Sequence, residues 1–251
     1  MAVALFLCLG LLNDSARADV WGRLTELEAK KEWAEAIRLV QSNPEIQGRP
    51  ETEFALGTLH LREGDLGLAR AHLERANKLK PYDSDVRSNL EITTDLLEKK
   101  IGHGQIDLGF SWQERMADTM TADSARAVLG LLLVALAAVW LPMYRRGRNL
   151  GGSLLQLTRS LSGISALTAI VATGGILFLI EGANSHDKAI LVQSAVARTL
   201  PEEDSPEILR IGEGVRVILS AASSDDHPQW AKIRLDSVRE GFVPKSSLLQ
   251  L

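Results

Sequence analysis

Four patterns of hydrophobic and polar positions follow one another along the chain. Ala2–Leu12 is an unbroken apolar run. From Val20 to Lys100, apolar and small residues recur every three or four positions, the period of a helix that buries one face. Breaks at Asn43-Pro44, Gly64-Asp65 and Pro81 divide that stretch into several helices. Two runs, Ala127–Tyr144 and Leu161–Ile180, carry no charge. As helices they would be about 27–30 Å long, close to the thickness of a bilayer core. After Glu181 the period falls to two. Val215, Val217 and Leu219 alternate with other residues, and Ala231, Ile233 and Leu235 have Lys232 and Arg234 between them. That alternation, with Pro, Gly and Asp-Asp turns between runs, predicts a half-buried antiparallel sheet.

The two uncharged runs predict a transmembrane hairpin, 127–144 and 161–180. The loop between them, 145–160, holds Arg145, Arg146, Arg148 and Arg159 and no acidic residue, the mark of a cytoplasmic loop. Both flanking regions are then expected outside the cytoplasm, in the periplasm, with the lipid bilayer as one partner. Residues 1–18 agree: an apolar core followed by Ala16-Arg17-Ala18 has the pattern of a secretory signal, although no basic residue follows Met1. Ser165, Ala169 and Thr173, with Gly174 and Gly175 beside them, form a small-residue stripe suited to close helix packing in lipid. No Asp, Glu, Lys or His lies in either run, so nothing there predicts an ion or proton pathway. Between the helical stretch and the first run, the connector 101–126 carries Phe110 and Trp112, expected either at headgroup level or packed on the last helix of the preceding domain.

Within the helical stretch, 19–100, the central unit reads Glu53, Leu56-Gly57, His60, Gly64, Ala69, Leu73, Ala76, Pro81. This resembles a tetratricopeptide repeat, in which small residues sit where two antiparallel helices touch and a proline follows the second helix. Leu56, Gly57, Ala69, Leu73, Ala76 and Pro81 are the expected packing positions, with Leu59 and Leu66 filling the space between. Gly64 would permit the turn, and Asp65 would cap the next helix. Glu53 and His60 depart from the resemblance, since the family usually has aromatics there. Lys31–Ile37 is expected as the second helix of an earlier copy, with Trp21 and Leu24 in its first, and Asp85–Lys100 as a terminal helix. Two copies and a cap predict a short groove for binding protein segments. His60 and His72, twelve residues apart on different helices, are expected half-buried at helix surfaces, not as metal ligands.

The last domain, 181–251, resembles a bacterial SH3 domain in the order of its motifs. These are Val196-Ala197-Arg198-Thr199-Leu200-Pro201, Gly212-Glu213-Gly214, Trp230–Leu235, Gly241-Phe242-Val243-Pro244 and a closing Leu248-Leu249. The resemblance implies a small all-β barrel, and the alternating runs predict five short strands. Trp230 and Phe242 are its only aromatics, which argues against a polyproline groove lined by rings. Trp230 falls on the face of Lys232 and Arg234, opposite Ala231, Ile233 and Leu235. Trp230, Phe242 and, on the repeat, His60 are the residues expected to contact protein.

Composition narrows the chemistry. Net charge is −4. Residues 19–100 have 13 basic against 16 acidic side chains, and 188–251 have 8 against 9. Neither has the basic excess of a nucleic-acid surface. Cys8 is the only cysteine, so the rest of the chain offers no disulfide, thiolate metal site or thiol nucleophile. Ser185-His186-Asp187 are consecutive, whereas triad members converge from separate places. Asp225-Asp226-His227 reads as a solvated turn. No catalytic, cofactor or metal residue is predicted.

The expected architecture is thus a multidomain membrane protein: an all-α tetratricopeptide-like repeat, a two-helix transmembrane hairpin and a small SH3-like barrel. That order over the whole chain resembles the BatE-type Bacteroides aerotolerance (Bat) proteins. The resemblance implies a non-enzymatic scaffold of the bacterial inner membrane acting beside von Willebrand-type membrane proteins and a MoxR-type ATPase, in oxidative-stress tolerance or envelope integrity. A cell-wall sensor whose SH3-like domain grips peptidoglycan is the alternative.

Overall fold

A computed structural model describes residues 18–102, 107–110, 187–220, 228–236 and 238–251, together with helical positions at 127, 130, 131, 134 and 173–175. Helices form where the three-to-four spacing runs unbroken. Described from residue 18, α1 continues to residue 30. It is followed by α2 (Trp33–Gln41), α3 (Pro50–Glu63), α4 (Leu66–Leu79) and α5 (Ser84–Ile101). Proline opens α3, where a missing N–H costs nothing, and Gly64 ends it in the left-handed conformation. Asp83 caps α5 by accepting from the amides of Asp85 and Val86.

Consecutive helices pack as antiparallel pairs around small residues. A Cβ on Gly57 would stand 2.6 Å from Cγ of Leu73, so α3 and α4 touch almost backbone to side chain there. Ala69, Leu73 and Ala76 are fully buried on the facing side of α4. A second cluster, with Leu24, Ala36, Ile37, Val40, Ile46, Leu56 and Leu59, joins α1, α2 and α3.

The C-terminal part forms seven strands: β1 (Lys188–Leu191), β2 (Ala195–Arg198), β3 (Glu207–Ile211), β4 (Arg216–Leu219), β5 (Trp230–Arg234), β6 (Glu240–Pro244) and β7 (Leu248–Gln250). They share one sheet in the order β3-β2-β6-β5-β4-β1-β7, and the strand pairs are antiparallel. Its core holds Ala189, Leu191, Ala197, Val215, Val217, Ala231, Ile233 and Val243.

The helices and the sheet belong to one compact unit, Met1–Phe110 with Asp187–Leu251, and Ser111–His186 forms the other. Within the first unit β1 and β4 are covered on both faces. Ile190 and Ile218 are buried as well as the core residues beside them. Helix α4 supplies part of that cover: a Cβ on Gly67 would meet the carbonyl oxygen of Val192 at 2.8 Å. Arg75 of α4 donates to the carbonyl of Gln250 on the edge strand β7, at 2.9 Å. Leu97 of α5 lies under Gly214, and Lys100 pairs with Glu213 at 2.6 Å.

This corrects the expected fold class. Instead of a separate repeat domain and five-stranded barrel on either side of a membrane hairpin, the described fold is one body of helices plus a seven-stranded antiparallel sheet. Among the described residues no helix is long and apolar enough to cross a membrane, which gives no support to two inner-membrane spans. The reason is charge: even α5, at 18 residues, carries Asp85, Arg87, Glu91, Asp95, Glu98, Lys99 and Lys100. Apart from Ala127, Gly130, Leu131, Val134 and Thr173–Gly175, which are helical, the runs 127–144 and 161–180 lie outside the described residues. So do 1–17, the loop 145–160 and Trp112.

Candidate functional site

Among the described residues, four places concentrate polar or aromatic groups. The first is a cleft of about 910 Å³ at one end of the sheet. Trp230 opens β5 and pairs with Pro244 on β6, while Lys232 pairs with Phe242 and Arg234 with Glu240. Alternation puts all six on the face opposite Ala231 and Ile233, and all but the exposed Glu240 are half-buried there. Trp230 and Phe242 are therefore diagonal neighbours on one surface. Trp230 and Pro244 form the floor of the cleft, and Phe242 lies one register step outside it.

Two turns wall the cleft, and both are tied down by buried serines. Ser205 holds the β2–β3 loop: its hydroxyl accepts from the Leu200 amide at 2.9 Å, and its carbonyl accepts from Arg198 at 2.6 Å. Ser247 closes the 3₁₀ turn Lys245–Ser247 by donating to the Pro244 carbonyl at 2.6 Å. Arg198 and Lys245 contribute positive charge, and Glu203 and Asp204 negative charge. A half-buried indole beside a proline, framed by fixed turns of both signs, suits an extended chain segment carrying its own charges.

The second place is a cleft of about 410 Å³ in the helical part, lined by Trp21 and Leu24 of α1, Phe54 and Ala55 of α3, and Val86 of α5. Its rim includes the ion pair between Lys80 and Glu51. Hydrogen bonding from Lys80 holds the Glu51 carboxyl below its ordinary range. This is the side on which every other helix presents a face.

The third is buried between α3 and α4. His60 and His72 stack with ring centroids 5.6 Å apart and planes 3° from parallel. His72 Nδ1 lies 2.7 Å from Glu53 Oε2. Glu53, His60 and His72 are all under a tenth exposed. Burial pushes the His60 imidazole down from its ordinary value, and the charge of His72 adds to that shift. His60 is thus not the half-exposed contact residue that the sequence predicts. Glu53 and His60, the two positions that depart from the repeat pattern, are joined through His72. Asp65 also differs from expectation: it occupies the cap position of α4 without a capping side-chain bond, and its carboxylate lies 3.6 Å from His60 Nδ1.

A further polar group went unpredicted. Asp107 sits between two buried guanidiniums. It accepts from Arg70 Nη2 at 3.1 Å, and from Arg216 Nε at 3.0 Å and Nη2 at 3.3 Å. Arg70 also donates to the Gly214 carbonyl at 2.8 Å, and Glu74 lies within 3.6 Å of Arg70 and 3.8 Å of Arg216. Phe110 is buried with the Arg216 guanidinium 4.7 Å above its ring. The network ties α4, the connector and β4 together.

No protein-family model matches the chain, and neither a curated protein nor a solved structure is significantly similar to it.

Proposed function

We propose that the chain is a non-catalytic interaction protein whose sheet cleft, floored by Trp230 and Pro244, takes an extended segment of a partner protein. The observation that carries this reading is the cleft itself: a half-buried tryptophan between two fixed turns. The helical groove lined by Trp21, Phe54 and Val86 supplies a second binding surface on the same unit. The order of motifs supports a scaffold of the Bat type, with von Willebrand-type proteins as partners. An extracytoplasmic setting is part of the proposal, supported by the leader-like residues 1–18.

A photo-crosslinking amino acid placed at Lys245 of the full chain, in its native cells, tests the reading. A protein adduct that Trp230→Ala abolishes supports it. Cosedimentation of the full chain with murein sacculi, lost in the same variant, would instead favour recognition of the cell wall. If Trp230→Ala changes neither, the cleft is not the binding site.

A further inference from the structure

We infer that the turn joining α3 to α4 is a binding site for a divalent transition-metal ion of the zinc type, held by His60, Glu63 and Asp65. One ligand atom from each lies within 4.8 Å of the other two. The backbone produces this convergence. With Gly64 left-handed, the amides of Gly64 and Asp65 both return to the His60 carbonyl, at 2.9 and 3.0 Å. The chain folds back over the last turn of α3 and brings Asp65 above His60.

The imidazole is the second observation. His60 is 5% exposed, and neither of its ring nitrogens has a hydrogen-bond partner. A neutral imidazole has one N–H and one lone pair, and leaving either buried and unmet is unfavourable. A cation on Nδ1 would satisfy one of them. Nδ1 already lies 3.6 Å from Asp65 Oδ2, near the spacing between neighbouring ligands of one metal. The ring cannot easily turn away, because it is stacked on His72, and His72 is anchored to Glu53. Glu63 and Asp65 are exposed, so their carboxylates can close the remaining distance without disturbing the core.

The donor set defines the ion. One imidazole nitrogen and two carboxylate oxygens suit Zn²⁺, with an open fourth position for water or for a side chain of a bound protein. The all-oxygen cages of Ca²⁺ are a poorer match.

The test is calorimetric titration of the chelator-treated full chain with ZnCl₂, alongside thermal unfolding. The wild-type chain is expected to bind one Zn²⁺ and to unfold at a higher temperature with it. Asp65→Asn and Glu63→Gln, at exposed positions, should each weaken binding at least tenfold with an unchanged circular dichroism spectrum. His60→Gln should abolish it. The inference is overturned if the wild-type chain binds no Zn²⁺. It is equally overturned if both carboxylate variants bind as the wild type does, since the ion would then sit elsewhere, as at Asp225-Asp226-His227.

Discussion

Single side chains here divide cleanly between holding and presenting. Ala231 and Ile233 are buried, and Trp230, one position away, is half-buried on the other face. Trp230→Ala is therefore expected to leave far-ultraviolet circular dichroism unchanged and to weaken partner capture about tenfold or more. Loss of the folded spectrum would put the ring in the core. Asp236 holds rather than presents. It accepts from the amides of Arg239 and Val238, and those bonds with the Arg239 side chain lower its pKa to about 2. A carboxyl depressed in the folded state stabilises above its unfolded value, 3.8, and loses that contribution as pH falls toward 2. The difference in melting temperature between wild type and Asp236→Asn should therefore be largest above pH 4 and shrink toward pH 2.

At the scale of elements, the contact between α3 and α4 is the most constrained. A side chain at Gly57 must displace Leu73, whose amide nitrogen is also only 3.1 Å from the added Cβ. Gly57→Leu should destabilise the full chain by roughly 1–3 kcal/mol or more, read as an earlier loss of helical signal in urea. The sequence marked this contact through the small residues Gly57, Ala69 and Ala76 of the central helical unit. The helix breaks and the alternation of β5 were legible because they depend on neighbours a few residues apart. Strand β3 was not. Glu207–Ile211 lies at the sheet edge and is mostly exposed, so it shows no period of two. The histidine stack was missed because helical period places each ring on its own helix but does not tell which rings meet across the pair.

For the molecule taken together, the decisive feature is the bonding of the helical part to the sheet, and no local pattern announces it. Asp107 and Arg216 are 109 residues apart in sequence. Their meeting depends on strand order and on the path of the connector. Asp107→Ala would remove the carboxylate shared by two buried guanidiniums. Because Asp107 is itself about a quarter exposed, the expected cost is about 3 kcal/mol, at the low end for a broken buried pair. Limited proteolysis checks it: the variant should be cut faster near residues 103–110 while the sheet and the helical part each remain resistant. Equal cutting rates would show that the other contacts, among them Arg75 with Gln250 and Lys100 with Glu213, join the two parts without this carboxylate.

The same feature sets an order of events during synthesis. The connector pairs with β4 through Asp107 and Arg216, and on re-entering the unit Asp187 accepts a hydrogen bond from Leu219 at the far end of that strand. Chain leaves and rejoins the unit along one strand, with 111–186 made in the interval. The helices are complete by Ile101, yet the surface of α4 bearing Arg70 and Glu74 has no sheet to meet until Arg216 has been made. The chain between delays that meeting. Time is what it consumes. At about 5–20 residues per second, that helical face waits on the order of ten seconds for its partner. In that interval Arg70 and Glu74, both destined for burial, stand in water, where they cost nothing and discourage premature association.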